Sequence, residues 1–526
     1  MTGLRDERVR AAVELDFARA REYAGLHEYD GRIQDLSPTG VSAALARLGT
    51  GPLPSDAFDA EVLTIHEDGL RARFAEAELH RRDPLLHVAV MDLACYDREY
   101  APTEERRRAR ASHLAAWPDA VDQAVAALDQ VSAPAAAAAL PAVRGLAQVV
   151  TDDAAALAAV RRFVAHVETA ARDGDPSAAL GPAMFLRLLG AGEGMTYDVG
   201  ALTALADRER SRLWDLLEEA VDRLAPGERV HRVVPALMRD HPVTAEGVFA
   251  QAEALVDEVT AFAVTRNLIA APGGECLVGP APASRAYAQA MMSWSAPYEA
   301  DAPSWYYVVP PDPAWPEREA EEWLSVFSRT SLPAITVHEV TPGHYAHGRA
   351  LRALRSDVRR SLESPAFVEG WAHYAEELFA EEGFRAADPR YVIGMTLEAL
   401  LRVTRLACSI GLHTGAMTVK EATARFEADA FLRGKAAEAE ALRGAVEPTY
   451  GRYTLGKTEI LRTRAVARRT WGDTYTHRRF HDSLLALGMP PIGLLGRAVS
   501  HSTGTAATPG HSPSSASALA PPIESR

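Results

Sequence analysis

The sequence has little cysteine and no long apolar run. Three cysteines, Cys95, Cys276 and Cys408, are spread over 526 residues without any short paired spacing. Neither a disulfide framework nor a thiolate zinc site is therefore indicated, and a metal would have to bind histidine and carboxylate side chains. No segment reaches the ~18 uncharged apolar residues that a membrane-spanning helix needs. We expect no membrane partner.

Positive charge is also in short supply. The chain has 56 Lys and Arg residues against 71 Asp and Glu residues, which gives a formal net charge of -15. A nucleic-acid-binding surface needs a basic face to contact phosphates, so we expect no nucleic-acid partner. Residues 1–21 alternate charged and apolar side chains and lack the continuous apolar core of a signal peptide. The expected location is the cytoplasm.

Helical periodicity, by contrast, is abundant. Ala, Leu, Glu and Arg have high helix propensity and dominate the sequence, and apolar residues recur at three- and four-residue steps. The pattern is clearest in four segments, 111–131, 135–170, 202–224 and 245–264. The predicted fold is mostly α, a large helical array without internal repeats.

A different pattern occupies residues 276–310, which are rich in proline and aromatic side chains. The run from Trp305 to Val309 has the composition of a strand, so we predict a small β element in this region. Residues 305–308 are a candidate edge strand, onto which an extended peptide could pair.

The expected organisation is one large catalytic unit, residues 1–499. About 1–270 would form a helical scaffold, and about 271–499 would contain the candidate metal-binding motifs. Linker-like composition is scarce until residue 500, where the sequence becomes aperiodic and polar. Such a segment cannot bury enough apolar surface to offset the entropy of ordering. We predict a disordered tail, residues 500–526.

The most informative run is His338-Glu339-Val-Thr-Pro342-Gly343-His344, which follows an apolar segment. In zinc hydrolases, a His-Glu pair with a second His nearby puts two imidazoles on the metal and a carboxylate beside the reacting water. Here the two histidines lie about 240° apart on an unbroken helix. Both can reach one ion only if Pro342-Gly343 distorts the helix. We predict a kink or bulge at that point.

A second motif contains Glu369, His373 and Glu376, which share one helix face at positions i, i+4 and i+7. Burying two carboxylates and an imidazole is costly unless a metal or ion pairs satisfy them. This helix is therefore expected to supply the third ligand. Each motif alone also has an ordinary structural explanation: a His-Glu pair on the surface, a Pro-Gly helix end, or a solvated acidic face.

Together the two motifs resemble the bacterial family catalogued as domain of unknown function 885. That family is similar to gluzincin metallopeptidases such as the thimet oligopeptidases. Family-like segments also occur at about residues 29–38, 405–413 and 480–488. The resemblance implies a gluzincin-like helical architecture with an active-site cleft.

The resemblance also bears on the ligand set. The Phe-Val-Glu segment 367–369 matches a segment that provides the third zinc ligand in thimet-like enzymes, which favours Glu369 over Glu376. Two positions depart from the family pattern: His347 stands where Gln is usual, and Ser409 stands where Asp is common. Neither is a predicted ligand, so metal binding is less affected than substrate identity.

The hypothesis for the chemistry is hydrolysis with Zn²⁺ as cofactor. His338, His344 and Glu369 would bind the ion. Glu339 would take a proton from the attacking water and return it to the leaving nitrogen. The expected substrate is a peptide or a small molecule with an amide bond. The sequence predicts no oligomeric state.

Other residues are candidates for supporting roles. The segment with Tyr450 and Tyr453 resembles a Tyr-x-x-Gly element of the family, and Tyr453 is the first candidate for a hydrogen-bond donor to the oxyanion, with His413 the second. Arg405 would either bind a substrate carboxylate or form a structural ion pair. Two residues of the second motif would orient a ligand imidazole, Glu376 and His373.

Three functions are compatible with these motifs. The first is a peptidase or small amide hydrolase, and the second is a zinc enzyme that performs another hydrolytic or tailoring reaction on a small metabolite. The third is an inactive helical interaction protein. Because His338, Glu339, His344 and Glu369 are all present, the sequence favours the two enzymes over the third.

Overall fold

The computed structural model describes residues 3–150, 153–282, 285 and 289–501, and most of them are helical. The mostly α prediction is confirmed. The helices before the sheet are α1 (Glu7–Glu14), α2 (Phe17–Tyr23), α3 (Pro38–Leu45), α4 (Ala57–Arg71), α5 (Pro84–Val90), α6 (Thr103–Ala115), α7 (Trp117–Ala127), α8 (Ala133–Gly145), α9 (Ala154–Asp173), α10 (Pro182–Gly190), α11 (Val199–Leu224), α12 (Val230–Met238) and α13 (Ala245–Thr265).

The second half of the chain contains the sheet and then further helices. The helices after the sheet are α14 (Glu317–Leu324), α15 (Leu332–Glu339), α16 (His344–Arg352), α17 (Asp357–Ser361), α18 (Pro365–Glu381), α19 (Arg390–Thr414), α20 (Val419–Asp429), α21 (Lys435–Val446), α22 (Arg452–Trp471), α23 (His477–Leu485) and α24 (Arg497–His501). In the described part of the chain, none of the helices is long and apolar enough to cross a membrane.

Two of the predicted helical segments are divided in the structure. Segment 135–170 forms α8 and α9, because the side chain of Asp153 accepts hydrogen bonds from two backbone N–H groups and so caps a new helix. Segment 111–131 spans the end of α6 and all of α7, which has Pro118 in its first turn. The apolar periodicity predicts both helical faces, but it does not locate these breaks.

The predicted β element is a three-stranded sheet of β1 (Cys276–Pro280), β2 (Ala290–Ser293) and β3 (Ser304–Val308). The strand order is β1-β3-β2, with β3 parallel to β1 and antiparallel to β2. The edge-strand prediction for residues 305–308 is therefore wrong. Both sides of β3 already form hydrogen bonds within the sheet, so this strand cannot accept a peptide.

The core positions the two candidate motifs through helix packing. Helix α18 packs along α22, and α11 packs along α19, while α15 contacts both α18 and α19. The α18–α22 approach depends on two glycines, because a Cβ atom on Gly456 would lie 1.8 Å from the carbonyl oxygen of Ala366 and one on Gly370 would lie 2.5 Å from Gly456. The single unit of residues 1–499 stays a prediction. From residue 502 onward, the predicted tail lies outside the described residues.

Candidate metal centre

The two histidines of the first motif lie on different helices. Helix α15 ends at Glu339 and α16 begins at His344, so the distortion expected at Pro342-Gly343 is a complete break. Gly343 allows the chain to fold back there, since a Cβ atom at this position would lie 1.9 Å from the carbonyl oxygen of His338. The rings of His338 and His344 consequently meet, with centroids 4.7 Å apart.

Helix α18 adds Glu369 to this pair. The Oε2 atom of Glu369 lies 3.5 Å from the Nε2 atom of His338 and 3.5 Å from the Nε2 atom of His344. One potential ligand atom from each residue lies within 4.8 Å of the others. Within the described residues, these three form the one group of His, Cys and acidic side chains with the spacing of a metal site.

The far side of the His338 ring contacts a second carboxylate. The Nδ1 atom of His338 lies 2.6 Å from Oε1 of Glu376, which is fully buried. Arg402 of α19 donates to the other oxygen of Glu376 at 3.1 Å and also pairs with Glu398 at 3.4 Å. Sequence reasoning missed Arg402. The sequence feature that could have identified it is a single charge within the apolar run Leu400-Leu401-Arg402-Val403. A charge in such a run is expected to be buried, and a buried charge needs a partner.

Charge and burial act in opposite directions on these groups. Burial and Arg402 lower the pKa of His338, but hydrogen bonds to Glu369 and Glu376 outweigh them and raise it to about 9. Burial raises the pKa of Glu369, yet contacts with both histidines bring it well below its usual value. The cluster therefore favours ionised carboxylates beside a positively charged His338 ring.

Glu339 lies beside the cluster. Its Oε2 atom is buried and has no hydrogen-bond partner among the described residues, and the same is true of Nδ1 of His344. Burial raises the pKa of Glu339, and the nearby His344 and His338 partly oppose this. An unpaired buried carboxylate oxygen is costly, so its presence here points to a ligand or a reaction.

A cavity of about 1910 Å³ extends to this cluster, with His338, Glu339, Arg402 and Tyr453 in its wall. The hydroxyl group of Tyr453 forms no hydrogen bond within the described residues, and its ring packs under Arg402 at 5.8 Å. Burial and the nearby Glu369 raise the pKa of Tyr453, so this phenol keeps its proton at neutral pH. It can donate a hydrogen bond to a molecule in the cavity.

The remaining candidates have structural partners. His413 does not border the cavity: its Nε2 atom contacts the carbonyl oxygen of Gly444 at 2.9 Å, which places it outside the site as an oxyanion donor. Arg405 forms two 2.8 Å hydrogen bonds to Glu440, and Tyr450 donates to the same carboxylate at 2.9 Å. Of the two alternatives for Arg405, the structural ion pair is the one present.

Two further histidines lie near the cluster but outside it. His373 is buried behind Glu376, with its Nδ1 atom 3.6 Å from Oε2 of that residue. His347, the first departure from the family pattern, donates from Nε2 to the carbonyl oxygen of Gly488 at 3.0 Å. Its role in the fold is therefore to hold the chain after α23. The hydroxyl of Ser409 is buried without a partner among the described residues.

Solved structures with the same fold include two putative lipoproteins. One is a putative lipoprotein of unknown function from Shewanella oneidensis, with a TM-score of 0.71, 20% identity, and coverage of 93% of this chain and 98% of that one. The other is a putative lipoprotein from Colwellia psychrerythraea, with a TM-score of 0.76, 17% identity, and coverage of 94% and 97%. At these identities, the likeness concerns the fold alone.

Comparison with curated proteins finds no match. A family model does match, and it covers residues 20–499, nearly the whole described chain. The family is described as bacterial protein of unknown function (DUF885), the one that the paired motifs resemble. The chain belongs to the DUF885 family.

Proposed function

We propose that this protein is a zinc-dependent hydrolase of peptide or small amide bonds, with a gluzincin-like arrangement of its site. The observation that carries the proposal is the cluster of His338, His344 and Glu369. Tetrahedral zinc with bonds of about 2.0–2.1 Å separates its ligand atoms by about 3.3 Å. The two Nε2 atoms each lie 3.5 Å from the carboxylate oxygen, close to that separation.

The chemistry of the surrounding groups supports the same proposal. Two imidazoles and one carboxylate are a ligand set of catalytic zinc sites. Because Glu376 accepts a hydrogen bond from Nδ1 of His338, Nε2 is the ring nitrogen that can lose its proton and bind an ion. The cavity that borders His338 and Glu339 would be the active-site cleft.

The side chains then have distinct tasks in hydrolysis. A bound Zn²⁺ would supply a Lewis acid for the carbonyl oxygen of the substrate. Glu339 accepts a proton from the attacking water at Oε2 and returns it to the leaving nitrogen. The water oxygen bonds to the carbonyl carbon and the C–N bond breaks, which yields a carboxylic acid and an amine. The hydroxyl of Tyr453 donates a hydrogen bond to the developing oxyanion.

The test combines metal analysis with hydrolysis of a peptide and acyl-amide library. We expect the parent and Glu339→Gln to bind about one zinc per chain, and Glu339→Gln to lose about 100-fold or more of the turnover. Glu319→Gln is the matched control, because this glutamate borders the same cavity but pairs with Lys435.

Two outcomes would contradict the proposal. If the parent protein binds no zinc, the proposed cofactor is wrong. If Glu339→Gln turns over substrate as fast as the parent, Glu339 is not the general base. Hydrolysis of acyl amides but of no peptide would favour the small-metabolite enzyme instead. If neither the parent nor the variant hydrolyses any substrate, the result would favour an inactive helical interaction protein.

A further inference from the structure

Two arginines in the cavity wall share one carboxylate. Arg443 of α21 contacts Glu447 through Nε at 3.2 Å, and Arg452 of α22 contacts the other oxygen of Glu447 through Nη1. All three residues border the cavity that reaches His338 and Glu339. The pair thus has two positive charges against one negative charge.

The neighbouring arginines differ in this respect. Arg405 makes two hydrogen bonds to Glu440, and Arg402 pairs with both Glu376 and Glu398, so each has a carboxylate that it does not share with another arginine. Arg443 and Arg452, by contrast, share Glu447. In the described part of the chain, both Nη atoms of Arg443 and the Nη2 atom of Arg452 have no hydrogen-bond partner. A guanidinium group with unused donors in a cavity wall is suited to a carboxylate ligand.

Three more carboxyl groups lie close enough to the two arginines to interact with them electrostatically: Glu193 and Glu369 near Arg452, and Glu440 near Arg443. None of them forms an ion pair with either arginine within the described residues. The oxygens of Glu193 accept hydrogen bonds from the hydroxyl of Ser364 and from the backbone N–H groups of Ala366 and Ile492. Of the carboxylates described, Glu447 is therefore the one in direct contact with both arginines.

This part of the wall adjoins the candidate metal centre. Arg452 directly precedes Tyr453, and its guanidinium carbon lies 5.4 Å from the centre of the Tyr453 ring. Glu369 is close enough to both residues to raise the pKa of each. A molecule that contacts the Tyr453 hydroxyl therefore has the two arginines within reach of its next groups.

We propose that Arg443 and Arg452 bind a carboxylate of the substrate, which makes the substrate class short peptides or acyl amino acids with a free C-terminal carboxylate. This inference rests on the proposed hydrolase function. Arg443 offers two parallel Nη donors, which a carboxylate accepts in a bidentate arrangement, and Arg452 offers a further donor at Nη2. The subsite directs the C-terminal end of the substrate toward α21 and α22.

The test measures binding without turnover. Zinc-loaded Glu339→Gln is titrated with trialanine and with trialanine amide, which differ only in the terminal carboxylate. We expect trialanine to bind about 10- to 100-fold more tightly, the scale of hydrogen bonds between charged groups. In the Glu339→Gln background, Arg443→Met should abolish the preference, and Arg443→Lys should keep part of it. Arg433→Met is the control, because Arg433 is an exposed residue elsewhere in the same wall.

The outcomes separate the two proposals. Equal affinity for both peptides, or no binding of either at millimolar concentration, overturns the subsite. A preference that survives Arg443→Met also overturns it, since the carboxylate would then be bound elsewhere. A preference without any hydrolysis by the parent leaves the subsite standing and contradicts the hydrolase. Circular dichroism checks that Arg443→Met is folded, and its side chain is 34% exposed, so the substitution leaves no large cavity.

Discussion

The Nδ1 atom of His338 lies 2.6 Å from the Oε1 atom of Glu376, and this contact joins α15 and α18, two of the three helices that carry the candidate ligands. Helix α19 is connected to this pair through Arg402, which donates to the other oxygen of Glu376 at 3.1 Å. The imidazole is thus held by a buried carboxylate that is itself held by a guanidinium group. This series of contacts determines which nitrogen of the His338 ring is available to an ion.

From this contact we predict that Glu376→Gln weakens zinc affinity by about 10- to 100-fold, the usual cost of losing a group that orients a metal ligand. Competition with a zinc chelator would measure the affinity. The control is Glu381→Gln, the same change on the same helix, where the carboxylate pairs with Arg464 at 2.7 Å. Equal zinc affinities of the two variants would show that the contact with His338 does not matter for the metal.

The ligand set leads to a second prediction. Glu369→Ala should abolish tight zinc binding, because the site then keeps only two of its three protein ligands. His347→Gln should bind zinc like the parent, since its ring nitrogen is already committed to the carbonyl oxygen of Gly488. Equilibrium dialysis against zinc buffers measures both. Zinc loss in His347→Gln together with retention in Glu369→Ala would reverse the assignment.

The meeting of the two motifs could be anticipated from the sequence. The six-residue spacing of His338 and His344 requires a distortion, and Pro342-Gly343 is a local cause of one. Glu369 could be preferred over Glu376 because the segment 367–369 resembles the one that provides the third ligand in thimet-like enzymes. These features depend on short segments, whose geometry is largely determined by neighbouring residues.

Features that depend on packing between distant segments could not be anticipated. The pairing of Arg402 with Glu376 requires α18 and α19 to pack with these two residues opposite each other. The apolar periodicity of either helix does not specify that alignment. The central position of β3 depends on its pairing with β1 and β2, and strand composition does not encode strand order. The same holds for His413, because its position in α19 does not predict its contact with the carbonyl oxygen of Gly444.

The close approach of α18 and α22 gives a third prediction. Gly456→Ala should lower the free energy of unfolding by about 1–3 kcal/mol, because the added methyl group overpacks a close helix contact. It should also weaken zinc binding, since α18 carries Glu369. Gly145→Ala is the control, a helical glycine with no atom within 4 Å of the added Cβ. Equal melting temperatures for the two variants would contradict the tight contact.

Glu193 gives a prediction for pH dependence. Burial raises its pKa from 4.5 to about 7, although hydrogen bonds from Ser364 and two backbone N–H groups oppose the rise. In the unfolded chain this carboxyl group loses its proton at a pH near its ordinary pKa. The folded state therefore binds the extra proton between about pH 4.5 and 7. Stability from this group is fully present below that interval and is lost as pH rises through it.

The loss amounts to about 3 kcal/mol at pH 8. We predict that the melting temperature of the parent falls more steeply between pH 5 and pH 8 than that of Glu193→Gln, whose side chain does not titrate. The control is Glu61→Gln, a surface glutamate that pairs with Arg497, and it should keep the slope of the parent. Because other buried groups titrate in all three proteins, the difference in slope isolates Glu193. Parallel curves for the parent and Glu193→Gln would mean that this carboxyl group is already ionised in the folded state at pH 5.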